Sequence, residues 1–174
     1  MQVAPLFSAA EIEARIAALG ARLYRDYVDC QLSVVGIAEG AIRFVEALTA
    51  ELAKYGIAPE VHSIRARRTR HSGSGAVQVD AFDPSLLEGR DVLVVDDIVD
   101  EGATLRAVLE IVELAETRSV RTAVLVGKRE GRQAGFEPDY TGFEVERGWV
   151  VGFGMDADGE LRDLDEIGVV VEEA

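Results

Sequence analysis

The sequence predicts an α/β fold, a single domain with a mostly parallel twisted sheet flanked by helices. Three observations predict it. Short runs such as "LSVVGIA" (32–38) and "DVLVVDD" (91–97) are aliphatic along almost their whole length, the pattern of strands covered on both faces. Between such runs lie segments whose apolar residues recur every three or four positions, as amphipathic helices require. The two patterns alternate, which selects a sheet wound with crossover helices over separate all-α or all-β units. The length, 174 residues, suits one domain over 1–174, and a chain of that size buries about 70% of its extended surface without a disulfide or metal.

In chain order, Ser8 and Glu11 have capping-box spacing, and Ile12, Ile16, Leu19 and Leu23 form a helical stripe behind them. The strand 32–38 leads into a helix over 40–56, with Phe44, Val45, Leu48 and Leu52 on one face and Gly56 at its stop. "PEVHSIRAR" (59–67) reads as a strand, and the polar, glycine-rich "RHSGSGA" (70–76) as a mobile loop. After the strand 91–97 comes an amphipathic helix over 104–116, through Leu105, Val108, Leu109 and Val112. "VRTAVLVGK" (120–128), "WVVGFGMD" (149–156) and "IGVVVEE" (167–173) complete the strands. Ligands of such sheets bind beyond the carboxyl ends of the strands. The polar residues expected there are Glu39 and Gly40, Asp96 to Thr104, Lys128 and Asp156.

Composition narrows the function classes. The formal net charge of −14 argues against broad electrostatic binding to nucleic acid or anionic lipid. No run approaches the ~18 uninterrupted apolar residues of a membrane span, and the first twenty residues lack the basic leader and apolar run of a signal peptide. Cys30 is the only cysteine, so no intrachain disulfide can form and a cytoplasmic location is expected. Against this acidic background, Arg65, Arg67, Arg68 and Arg70 form a positive island.

The segment that carries chemistry is "VLVVDDIVDEGATL" (92–105). A buried strand ends in Asp96 and Asp97, and a turn containing Asp100, Glu101 and Gly102 opens a helix. Free backbone N–H groups and the helix dipole at such a terminus favour an anion. Gly102 permits close approach and the Thr104 hydroxyl adds a donor. Carboxylates beside a phosphate cradle either accept from sugar hydroxyls or help to hold a divalent cation. Taken singly, an acidic helix start is ordinary capping; the strand, glycine and threonine at one fixed spacing point to a ligand. No Walker A loop occurs.

This segment resembles the phosphoribosyl-pyrophosphate (PRPP) motif of type I phosphoribosyltransferases. "VVGIAEGAIRFVEAL" resembles the early strand, turn and helix of the hypoxanthine-guanine members, and "KREGRQAGFEPDYTGFEVERGWVVGFGMDADGELRDLDEIGVV" resembles their C-terminal third. The likeness spans about residues 30–171. It implies a core over about 30–155 and a small hood from 1–29 and 156–174. It further implies purine salvage: transfer of the 5-phosphoribosyl group from PRPP to hypoxanthine or guanine, giving IMP or GMP and pyrophosphate.

The resemblance also assigns roles. Asp96 and Asp97 would accept from the ribose hydroxyls, and Asp100 would be the general acid or base near purine N7. Residues Glu101, Gly102, Ala103 and Thr104 would hold the 5-phosphate. Lys128, a pure donor, would select a 6-oxopurine; Trp149 would stack on the base and Val150 would read its edge through the backbone. Glu39 and Gly40 would form the pyrophosphate turn, with Arg162 neutralising pyrophosphate and Arg68 and Arg70 in a mobile lid. Asp156, with Asp96 and Asp97, would serve Mg2+. A homodimer or homotetramer is implied. A nucleotide- or PRPP-binding regulator, or an enzyme preferring xanthine, are the alternatives.

Two positions and a pair in the lid segment depart from the commonest pattern of that family. Glu39 stands where many members carry lysine, and Glu101 where many carry threonine, although the Asp-Glu-Gly turn resembles a bacterial subgroup. Arg68-Thr69 replaces a Ser-Tyr pair.

Overall fold

The computed structural model describes residues 2–68, 76–131, 136–157 and 159–171. Residues 69–75, which contain most of the expected loop together with Thr69 and Arg70, lie outside them.

Six strands form the main sheet in the order β4-β3-β2-β5-β6-β7. They are β2 (Leu32–Ala38), β3 (Glu60–Arg68), β4 (Val77–Val79), β5 (Asp91–Val99), β6 (Ser119–Lys128) and β7 (Tyr140–Val145). All neighbours pair in parallel except β3 with β4. The full burial of Leu32–Ile37 and Asp91–Asp96 explains their continuous apolar reading, because helices cover both faces. Helices α1 (Ala9–Tyr27) and α2 (Ile42–Lys54) lie on one face, around Phe44, Leu48, Leu93 and Val95. On the other, α3 (Ala103–Val112) and a single 3-10 turn (Pro84–Leu87) pack around Val35, Val92, Val94 and Leu105.

The start of α1 is the expected capping box. Ser8 Oγ accepts from the Glu11 amide, and the Glu11 carboxylate accepts from the Ser8 amide at 2.9 Å. The Ser8 hydroxyl, which donates to that carboxylate at 2.6 Å, and then the Ser8 amide hold the Glu11 carboxyl below its ordinary range.

Three elements differ from the sequence reading. The run 149–156 is a strand only over Trp149–Val151 (β8). Gly152, Phe153 and Gly154 then take positive φ values of 95°, 50° and 105°, and the chain turns sharply through them. Strands β1 (Gln2–Phe7), β4 and β7 were not anticipated. Finally, β1, β9 (Ile167–Val171) and β8 form a separate antiparallel sheet in the order β1-β9-β8, so the two ends of the chain are joined.

Chain order places β2 at the centre, with β3 to one side and β5 to the other. The crossovers leaving β2 and β5 therefore diverge, and a crevice opens beyond their carboxyl ends. The opposite end of the sheet consumes its polar groups structurally. There the Ser119 hydroxyl donates to buried Asp91 at 2.7 Å, and the Thr122 amide donates to Asp139 at 2.8 Å.

Candidate active site

Strand β5 delivers Asp96 and Asp97 to the crevice. Successive residues of a strand point to opposite sides, and the two carboxylates divide accordingly. Asp96, 7% exposed, lines a cavity of about 210 Å³ formed with residues 98–105 and Arg68. Asp97 instead faces the turn after β2, where a Cβ on Gly40 would overlap its carboxylate. That approach is why position 40 must be glycine. The Asp97 amide donates to Asp96 Oδ1 at 3.0 Å. Burial, reinforced by the adjacent Asp97 charge, pushes the Asp96 carboxyl well up, and burial pushes Asp97 up as well.

The turn between β5 and α3 closes the cavity. Gly102 is the N-cap of α3 with φ of 83°, a left-handed conformation that a side chain would strain. A Cβ there would also lie 2.7 Å from the Phe136 ring. No side chain caps α3, so its first amides remain directed at the cavity. Glu101 directs its carboxylate to an ion pair with Arg68, each side chain being half exposed and both residues lining the cavity. Lys128, at the carboxyl end of β6, donates to Asp100 Oδ2 at 3.0 Å. The Lys128 side chain is only 16% exposed, against 53% for Asp100.

A second group of charges stands on the Asp97 side. Arg162 bridges Glu39 Oε2 at 3.1 Å and Asp156 Oδ1 at 2.9 Å. Arg162, and then the Gly159 amide at 2.6 Å, hold the Asp156 carboxyl below its ordinary range. Among the described residues, Arg162 Nε is buried without a hydrogen-bond partner. Arg65 approaches the other oxygen of Glu39 at 3.8 Å, because the β2–β3 register sets it opposite Ala38. The Ala38–Glu39 peptide is cis. Trp149, 52% exposed, donates from Nε1 to the Asp156 carbonyl at 3.1 Å, while Val150 is buried beside it.

The four segments marked in the sequence thus meet in two groups joined at the Asp96–Asp97 pair. Arg68 belongs to the cavity of the β5–α3 turn. The lid-side arginine beside Glu39 is Arg65, which the sequence reading left out of the site. Arg43 and Phe136 were also missed. Arg43, in the first turn of α2, donates to the Leu164 carbonyl at 2.7 Å, pairs with Asp165 and lies 4.5 Å from the centre of the Phe153 ring. It thereby fastens the segment that carries Arg162 to the Glu39 turn.

A family model described as the phosphoribosyl transferase domain matches residues 3–158. The chain belongs to the phosphoribosyl transferase family. The hypoxanthine-guanine phosphoribosyltransferase of Dictyostelium discoideum is 32% identical over 171 residues, covering 97% of this phosphoribosyl transferase and 95% of that protein. The enzyme of the same name from Bacillus subtilis is 32% identical over 165 residues, covering 95% and 91%. Among solved structures, the hypoxanthine phosphoribosyltransferase of Trypanosoma cruzi with the product IMP matches at a TM-score of 0.87 and 29% identity. It covers 95% of this chain and 92% of that one. A second Trypanosoma cruzi structure, concerned with the role of the C-terminal region in oligomeric state and activity, matches at 0.89 and 28%, covering 97% and 91%. These matches agree with the α/β architecture of a single domain built on a mostly parallel sheet.

Proposed function

We propose that the chain is a purine-salvage enzyme that transfers the 5-phosphoribosyl group of PRPP to hypoxanthine or guanine, giving IMP or GMP and pyrophosphate. The observation that carries this reading is the Lys128–Asp100 contact at 3.0 Å, directly beside a cradle of unsatisfied helix amides. It sets a pure donor and a carboxylate side by side at the mouth of an anion cavity. Lys128 donates to a purine O6, which adenine lacks. Asp100 takes or returns the imidazole proton at N7 as the glycosidic bond forms. Trp149 offers an exposed ring for stacking, and Val150 reads the base edge through its backbone. The amides of residues 101–104 and the Thr104 hydroxyl receive the 5-phosphate, while Asp96 and Asp97 accept from the ribose hydroxyls. Gly40 and Arg162 receive pyrophosphate.

The donor set suits a hard divalent ion. Two adjacent carboxylates with raised proton affinity are relieved by a cation, so Asp96 and Asp97 fit Mg2+. Asp156, whose oxygens are engaged by Arg162 and the Gly159 amide, would join them on release from that contact, since among the described residues no three such groups are already gathered as a metal site. When bound, Mg2+ neutralises the departing pyrophosphate. We further read β1, β8 and β9 as a hood over the base site, the protein as a homodimer or homotetramer, and its compartment as the cytoplasm. Light scattering on the purified protein tests the assembly.

Purified protein with Mg2+ and PRPP is to be assayed against hypoxanthine, guanine, xanthine, adenine and uracil. Pyrophosphate release with the first two and little with adenine is expected. Turnover of neither hypoxanthine nor guanine overturns the reading, and turnover of xanthine alone moves the specificity to that base.

A further inference from the structure

Two departures from the common family pattern, Glu101 and Arg68, stand 33 residues apart in the chain and meet as an ion pair. The consequence lies in the charge of the cavity they border. Its lining includes three acidic residues, Asp96, Asp100 and Glu101, and one basic residue, Arg68. Lys128 answers Asp100 from β6. Glu101 adds an anion on the wall of a space that the α3 amides direct toward a phosphate. Left alone, that carboxylate repels the ligand, since like charges within a few ångströms oppose binding. Arg68 is the group that neutralises it.

Resting on the reading of this cavity as the 5-phosphate subsite, we propose that Arg68 is a 5-phosphate-binding residue, oriented by Glu101. The guanidinium fork has five donors, so Arg68 can keep Glu101 on one edge and present the other to a phosphate oxygen. Glu101 then acts as a positioning residue: it holds a long, otherwise mobile side chain at the cavity wall. Arg68 is the last residue of β3, and β3 is fixed in the sheet by pairing with both β2 and β4. Its backbone is thus anchored to the same rigid frame as the phosphate turn. This assignment separates Arg68 from pyrophosphate, whose side of the crevice holds Arg65 and Arg162 around Glu39.

Calorimetric binding of GMP and of magnesium pyrophosphate, each to wild type and variants, tests the proposal without requiring turnover. Arg68→Gln is expected to weaken GMP by about tenfold, the scale of one charge-assisted hydrogen bond, and to leave pyrophosphate within about twofold. Glu101→Gln added to Arg68→Gln is expected to recover only a minor part of the lost GMP affinity, because removing the anion does not replace the bond from Arg68 to the phosphate. GMP affinity unchanged in Arg68→Gln overturns the proposal, as does a loss shared equally with pyrophosphate. Full recovery in the double variant overturns it too, since Arg68 then serves only to neutralise Glu101. Both side chains are half exposed, and thermal melts of each variant establish folding. Wild type that binds GMP but turns over no base defeats the proposed reaction while leaving this assignment standing.

Discussion

At the scale of single residues, the crevice is organised by which charge answers which. Asp100 has only Lys128 as its partner in the contacts described above, and its exposure leaves it open to a base. Asp100→Asn keeps the shape and a hydrogen bond to the lysine region but removes the proton acceptor. Its kcat is expected to fall by about 10²–10⁴, the range of a lost general acid or base, with KM for PRPP changed far less; steady-state kinetics with guanine decide it. Gly102→Ala addresses the turn itself. Left-handed backbone and the overlap with Phe136 together are expected to cost about 1–2 kcal/mol, seen as a Tm lower by about 2–8 °C, along with weaker GMP binding. The aspartates, Gly102 and Thr104 were legible in the sequence because they are contiguous, so local geometry alone puts them together. Arg65, Arg43 and Phe136 were not, because each reaches the site through strand register or a long-range contact that no local spacing encodes.

At the scale of elements, the fully buried strands β2, β5 and β6 and the striped helices were legible because burial on two faces or one writes a distinct period. The missed strands lack that signal. β1 is largely exposed and carries Pro5 beside a bulge, β4 has three residues, and β7 sits among acidic residues that read as loop. The opposite error, extending β8 to residue 156, came from an apolar run whose two glycines are there to turn the chain. Helix α2 raises a separate question, since a cation in a first turn opposes the helix dipole by about 0.3–1 kcal/mol. Arg43 occupies that turn, and its bonds to Leu164 and Asp165 offset the cost. Arg43→Met is expected to loosen the Arg162 segment from the Glu39 turn. KM for PRPP should rise about three- to tenfold with kcat nearly constant, and Arg43→Lys should recover part of it; unchanged KM in the methionine variant would remove the clamp.

At the scale of the whole molecule, the exposed ring of the site and its charged groups rest on different sheets. Asp96, Asp97, Asp100 and Lys128 project from the six-stranded sheet, whereas Trp149 begins β8 of the three-stranded one. Gly168 lies where β9 meets β1, and a Cβ there would overlap the Val3 side chain and stand 2.8 Å from the Ala4 carbonyl. Gly168→Ala is therefore expected to cost about 1–3 kcal/mol by overpacking and to raise KM for guanine more than KM for PRPP. Equal changes in both would show that the two sheets respond as one body.

The pairing of β1 with β9 also sets a timetable. Among the described residues, β1 finds its only sheet neighbour in residues 167–171, so it stays unpaired while nearly everything between is synthesised. The phosphate turn, complete by residue 104 and supported by β2 and β3, has most of its frame long before then. A nascent chain thus acquires the β5–α3 turn and its cavity early and the sheet that carries Trp149 last.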